Sequence, residues 1–229
     1  YGLTESSPVG SVSREDCIKI GTVGPMLDMV QVQIAEDGEI LVKGPNVMMG
    51  YYKNEEATKA VLTGDGWFHT GDIGEIVDNT FLKITDRKKE LLKTSGGKYV
   101  APAPIENKFK EDFLVEQMMV VGEKQKFVSA LIVPADEALM AWCQEEGVNC
   151  DCVRDAIQDP KVIARYQIVL DQFNPEFSHI EQIKKFVLID GTWEASKVDG
   201  TDAELTPTMK LKRRVILEKY STEIDSIYS

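Results

Sequence analysis

Two hydrophobic periods divide the chain. In the first third, apolar residues recur at every second position or in short runs between turn residues. "VQVQI" over 30–34 is a strict alternation, the pattern of a half-buried strand. "EILVKG" over 39–44 follows as its partner, and Asp37-Gly38 between them is a strong hairpin turn. "GEIV" (74–77) and "FLKI" (81–84) predict a second hairpin around Asp78-Asn79. Thr80 stands where a glycine would follow the asparagine more comfortably, so a type other than the Asn-Gly turn is expected there. Short strands punctuated by glycine predict a small distorted barrel or bent sheet.

Beyond residue 100 the period lengthens. Ile105, Phe109 and Phe113 recur at helical spacing behind Pro102 and Pro104, which predicts a helix with proline in its first turn. "EQMMVVG" and "FVSALIVP" predict paired buried strands around a polar turn at 123–126. Pro134 is expected to open a helix whose Ala138, Leu139, Trp142 and Cys143 share one face. Residues 150–183 read as helical and acidic, "FVLID" (186–190) as a strand. "LKRRVILEKYSTEIDSIY" closes the chain as an amphipathic helix with Ile216, Tyr220, Ile224 and Ile227 on one face. The fold class is therefore α+β: a small distorted β-barrel subdomain over 1–86, then an α+β domain over 87–229 with a central sheet flanked by helices.

Composition excludes more than it identifies. With 229 residues the chain can build one large core or two small ones. No apolar run approaches the roughly 20 residues of a membrane span, and the opening "YGLTESSPVG" has neither the basic nor the apolar region of a signal peptide. It also lacks an initiator Met, which suggests a piece of something longer. Of four cysteines only Cys150 and Cys152 are close, at a spacing that suits no zinc knuckle, and two histidines offer little help. Reduced thiols in a cytoplasmic protein are expected.

Charge distribution adds the first functional clue. The net charge is −12, yet between Lys83 and Lys98 six basic side chains face two acidic ones, Asp86 and Glu90. A second basic island lies over 208–229. The acidic remainder would repel a polyphosphate backbone, which argues against nucleic acid as a partner. Two local islands suit a small polyanion.

Four stretches carry candidate chemistry, each with a plainer alternative. In "YGLTE" (1–5), Tyr1 can stack on a base, Thr4 can bond a phosphate and Glu5 can hold Mg²⁺; the same residues also make a strand end. In "GWFHTGD" (66–72), Asp72 follows Gly71 in what reads as a tight turn before a strand. Its carboxylate can accept both hydroxyls of a ribose, or merely cap the turn. In "DRKKELLKTSGGKYV" (86–100), Arg87 can reach ribose or phosphate. Ser95-Gly96-Gly97 can offer backbone N–H groups to an anion and let a ligand pass close by, or can be an exposed hairpin tip. In "ELTPTMKLKRR" (204–214), Thr206-Pro207-Thr208 resists helix, so Lys210 sits on a loop from which it can approach a phosphate, or the stretch can be a solvated basic first turn. Basic residues there oppose the dipole of the following helix, so something else must select them.

In this order and spacing the four stretches, with "DGEILVKGPNVMMGYYKNEEAT" and "DGWFHTGDIGEI" between them, resemble the adenylate-forming superfamily of acyl-CoA synthetases, firefly luciferase and peptide-synthetase adenylation domains. "DRKKEL", "KTSGG", the long acidic insertion and "LTPTMKLKRR" look most like long-chain fatty acyl-CoA synthetases. The resemblance implies an acid–thiol ligase. MgATP and a fatty acid give an acyl-adenylate and pyrophosphate, a mobile C-terminal domain turns about a hinge near 87–90, and the thiol of CoA attacks.

It also implies roles. Tyr1 and Gly2 would line the adenine pocket, Thr4 would contact the α-phosphate and Glu5 would hold Mg²⁺. Asp72, helped by Arg87, would bind the ribose. Lys89 matches the hinge. Lys210 would bridge the acyl carboxylate and α-phosphate, so that Lys210, Thr4 and Glu5 form the catalytic set. Ser95, Gly96 and Gly97 would border CoA. The family's upstream phosphate loop, its acyl tunnel and most of its adenine pocket are not among these residues. The expectation is the C-terminal portion of a ligase, inactive alone and completed by an N-terminal domain. Long-chain substrates partition into lipid, which leaves room for transient peripheral membrane contact. A non-catalytic module for nucleotide or CoA, and an adenylation domain loading a carrier protein, stay open as alternatives.

Overall fold

The computed structural model describes residues 1–7, 10–196 and 202–229. The chain resolves into two compact units, Tyr1–Leu91 and Leu92–Ser229.

The first unit is built on a curled antiparallel sheet of four strands, β1 (Gln31–Ile34), β2 (Glu39–Lys43), β3 (Phe68–Val77) and β4 (Phe81–Arg87), in that spatial order. One helix, α1 (Glu55–Val61), begins at Asn54, whose side chain accepts the Ala57 N–H. Val30, Ile40, Val42, Phe68 and Leu82 form the core. The β1–β2 hairpin turns at Asp37-Gly38, with Gly38 at φ +84°. The β3–β4 hairpin uses Asp78 and Asn79, both left-handed at φ +50° and +56°, and the Thr80 N–H closes onto the Val77 carbonyl at 3.1 Å. Positive φ thus falls on Asp and Asn, the side chains that tolerate it best after glycine, and Thr80 escapes it.

β3 is longer than "GEIV" suggests, and it is irregular twice. The register slips between Glu39 and Leu41 on one side and between Ile73 and Gly74 on the other. A Cβ on Gly74 would lie 2.3 Å from the Lys83 carbonyl oxygen and 2.7 Å from Ile40 Cδ1, so only glycine fits. Bulges of this kind bend a sheet and re-aim side chains.

The second unit opens with a small ladder, β5 (Leu92–Lys93) and β6 (Tyr99–Val100), and α2 (Pro102–Phe109). Its centre is a three-stranded sheet of β7 (Val115–Val121), β8 (Ser129–Pro134) and β9 (Phe186–Leu188). β7 and β8 are antiparallel, β8 and β9 parallel. Between β8 and β9 run α3 (Asp136–Glu145), α4 (Val153–Ala156) and α5 (Pro160–Phe173). The chain closes with α6 (Arg213–Lys219) and α7 (Ser221–Tyr228).

Both faces of this sheet are covered. Met118, Val120, Ala130 and Ile132 pack with Phe109, Leu139, Tyr166 and Leu170 from α2, α3 and α5. Met119, Val121, Leu131 and Val133 pack with Trp193, Ile216, Tyr220 and Ile227. Burial on two sides is why these strands read as continuous apolar runs.

Several element limits differ from expectation. α2 stops at Phe109, and Phe113 lies beyond it, exposed. Pro134 ends β8 and opens no helix; a strand end tolerates the missing N–H, and Asp136 and Glu137 occupy the first turn of α3, where acids suit the dipole. The acidic stretch 150–183 is not continuous helix. Asp159-Pro160 starts a new one, Asp159 accepting the Lys161 N–H, and a 3₁₀ turn at Asn174–Glu176 ends it. The terminal helix breaks at Tyr220, just before Ser221 and Thr222, whose hydroxyls compete with the helical ladder.

Candidate functional site

Asp72 lies inside β3, not in a turn before it. The bulge at 70–72 sets its direction. Thr70 donates its hydroxyl to the Ile40 carbonyl (2.7 Å) and accepts the Asp72 N–H (3.1 Å). Gly71 is left-handed at φ +73°. Asp72 itself is 4% exposed and directly opposite Arg87 in the ladder. Arg87 Nε lies 3.3 Å from Asp72 Oδ1, and the Tyr1 phenol donates to Oδ2 at 2.6 Å. Burial, then the hydrogen bond to Asp72, pushes the Tyr1 phenol well above the usual tyrosine range. One buried carboxylate thus joins an aromatic ring to a guanidinium whose side chain is two-thirds exposed.

Three residues the motifs did not single out support this cluster. Glu39, buried at the start of β2, accepts the Gly71 N–H at 2.9 Å, lies 2.8 Å from His69 Nδ1, and takes Lys88 Nζ at 2.7 Å. Lys88 also reaches Asp37 at 2.7 Å. Burial acts to raise the Glu39 carboxyl, but the bonds from Lys88, His69 and Gly71 outweigh it and hold it below its ordinary value. No sequence signal pointed to this arrangement, because Glu39 and Lys88 are 49 positions apart and meet only through the strand pairing.

Thr4 and Glu5 sit on a 3₁₀ turn, Thr4–Ser6, pinned where Met48 N–H donates to the Glu5 carbonyl (2.8 Å) and Asn46 Nδ2 to the Ser6 carbonyl (3.0 Å). Thr4 and Gly2 are exposed; Glu5 is half-buried and accepts the Tyr51 phenol at 2.9 Å. Among the described residues no group of three or more His, Cys, Asp or Glu is placed to hold a metal. A single carboxylate such as Glu5 fits Mg²⁺ in its common mode, with substrate phosphates and water completing the shell. Lys89 is exposed on the 3₁₀ turn Lys88–Glu90 that follows β4.

In the second unit Ser95, Gly96 and Gly97 form the exposed tip between β5 and β6. They are not an open nest of donors. The Ser95 N–H goes to the Gln125 carbonyl (2.8 Å) and the Gly97 N–H to the Thr94 carbonyl (2.9 Å). Gly97 is required by φ +75°, and a Cβ there would meet nothing within 4 Å. What the tip offers is clearance, not anion-binding backbone.

Lys210 is exposed on a tight loop. Leu205 bridges Leu211, the Thr206 N–H donates to the Lys210 carbonyl (2.8 Å), and the Lys210 N–H returns to Thr206 Oγ1 (3.0 Å). Met209 takes the left-handed conformation, at φ +61°. Arg213, at the start of α6, explains part of the basic run. Its Nη2 lies 2.7 and 2.8 Å from the two oxygens of buried Glu106 on α2, and Nη1 donates to the Val120 carbonyl at 3.3 Å. The ion pair selects this cation in spite of the helix dipole.

Residues 89–229 match the AMP-binding enzyme C-terminal domain family. The chain belongs to that family. Over its full length the chain is similar to a long-chain-fatty-acid–CoA ligase of Mycobacterium bovis, with 42% identity over 232 residues. It is also similar to one of Rattus norvegicus, with 34% identity over 252 residues. It covers 37% of the length of each of these curated relatives. Its backbone resembles the A-PCP didomain of a carboxylic acid reductase from Segniliparus rugosus in complex with AMP, at a TM-score of 0.66 and 24% identity, covering 100% of this chain and 30% of that one. No helix among the described residues is long and apolar enough to cross a membrane.

Proposed function

We propose that the chain is the C-terminal portion of an ATP-dependent long-chain fatty acid–CoA ligase, an acid–thiol ligase that forms an acyl-adenylate and then a thioester with CoA. The observation that carries this is the convergence of Tyr1 and Arg87 on buried Asp72. A fixed carboxylate flanked by a ring and a cation suits the ribose and base of an adenylyl group.

Asp72 binds the ribose hydroxyls with Arg87 beside it, Tyr1 and Gly2 border the adenine, and Thr4 meets the α-phosphate. Glu5 holds Mg²⁺, which supplies charge neutralisation at the phosphates. Lys210 stabilises the charge that develops as carboxylate oxygen replaces pyrophosphate at the α-phosphorus. Residues 1–86 form the end of the large AMP-binding domain, a distorted barrel; 87–229 form a lid that turns about Lys89 between half-reactions. CoA then passes Ser95-Gly96-Gly97. The chain is inactive without the N-terminal domain that carries the phosphate loop and acyl tunnel, and the enzyme is cytoplasmic, with substrates whose partition into lipid leaves room for transient membrane contact.

Lys210→Ala in the full ligase tests the assignment. ATP–pyrophosphate exchange should fall by about 10²–10³, the range of a lost transition-state donor, while CoA thioester formation from preformed acyl-adenylate stays near wild type. Equal losses in both half-reactions would remove the role.

A further inference from the structure

Glu39 is a buried carboxylate, and a buried ion pair is seldom the cheapest way to stabilise a fold. Its partners all lead to one place. The register slip sets Thr70–Asp72 against Ile40 alone, so the Gly71 N–H has no ladder acceptor on β2; Glu39 Oε1 supplies one at 2.9 Å. Glu39 Oε2 lies 2.8 Å from His69, two residues before Gly71, and 2.7 Å from Lys88, one residue before Lys89. Asp37 holds Lys88 from the other side and accepts the Glu39 N–H at 3.2 Å, closing the hairpin end around it.

We propose that Glu39 is a positioning residue for the nucleotide site: it holds the bulge that aims Asp72, and through Lys88 it ties that bulge to the segment entering Lys89. The proposal rests on Asp72 as the ribose carboxylate. An apolar residue at 39 would release the Gly71 N–H and let the bulge relax, because the bond from the Thr70 hydroxyl to the Ile40 carbonyl would then be what still ties residues 70–72 to β2. Asp72 would stay in the chain but lose its aim. The effect should therefore appear in recognition of the ribose hydroxyls and not as a uniform loss.

The experiment compares ATP with 2′,3′-dideoxy-ATP in pyrophosphate exchange by the full ligase, as a ratio of kcat/KM values. The wild type should prefer ATP. Glu39→Ala should contract that preference by about tenfold, the scale of one charge-assisted hydrogen bond. Glu39→Gln keeps an acceptor for Gly71 and should recover much of it; Lys88→Met should contract it less than Glu39→Ala. If Glu39→Ala does not fold, Glu39→Gln and Lys88→Met carry the test, each expected to lower the ratio measurably. A wild type indifferent to the hydroxyls overturns the ribose assignment of Asp72 and this proposal with it. A wild type that discriminates, with variants that slow on both substrates equally and keep the full ratio, overturns the proposal alone.

Discussion

The Tyr1 phenol donates to Asp72 Oδ2 at 2.6 Å, and the two residues are 71 positions apart. The bond fixes one oxygen of the carboxylate while Arg87 fixes the other. Tyr1→Phe keeps the ring and loses this bond. In the full ligase the KM for ATP should rise about three- to tenfold, with little change in the thioester step. An unchanged KM would show that Asp72 is oriented without the Tyr1 bond.

Glu106 and Arg213 predict a stability effect. Arg213→Met leaves Glu106 buried with the Val120 N–H as a remaining donor, at 2.8 Å. Breaking a buried pair from one side costs roughly 3–5 kcal/mol. Urea unfolding of the second unit should shift by that amount. A shift below about 1 kcal/mol would rank the pair with surface bridges.

Acid should weaken the first unit through Glu39. Its folded pKa lies below the ordinary value, because Lys88, His69 and Gly71 together overcome burial. Its contribution is then fully present above the unfolded carboxyl pKa, about 4.3, and is lost as pH falls through the folded value. Asp37, lowered chiefly by its bond to Lys88, adds to the same slope. The thermal midpoint should drop on acidification below about pH 4.5, and less steeply in Glu39→Gln. Parallel curves would assign the acid sensitivity elsewhere.

The thiols should differ in reactivity. Burial pushes Cys143 up to about 11, and the neighbouring Cys150 thiol adds to the shift. Cys152 is exposed. Iodoacetamide at about pH 8 should label Cys152 early and Cys143 only after unfolding, as followed by peptide mass spectrometry. Early labelling of Cys143 would contradict its burial.

Much of the fold was legible because it is local. Asp37-Gly38 and Asp78-Asn79 impose their turns through φ, and Pro102 starts α2 by its fixed φ and missing N–H. Asp72 and Arg87 were legible as motif residues, although the sequence placed Asp72 in a turn. The breaks at Asp159-Pro160 and before Ser221 were written in the chain but were outweighed there by helical periodicity.

The sequence by itself determined which strands are neighbours along the chain, where glycine and proline force the backbone, and which residues carry the candidate chemistry. Only the tertiary structure decided that Glu39 meets Lys88 across 49 positions, that Arg213 meets Glu106 across 107, and that a two-sided bulge aims Asp72 at Tyr1. The physical reason is range. Backbone sterics act between adjacent residues and can be read in order, whereas an ion pair depends on where packing brings two distant side chains and on how much water it removes from around them.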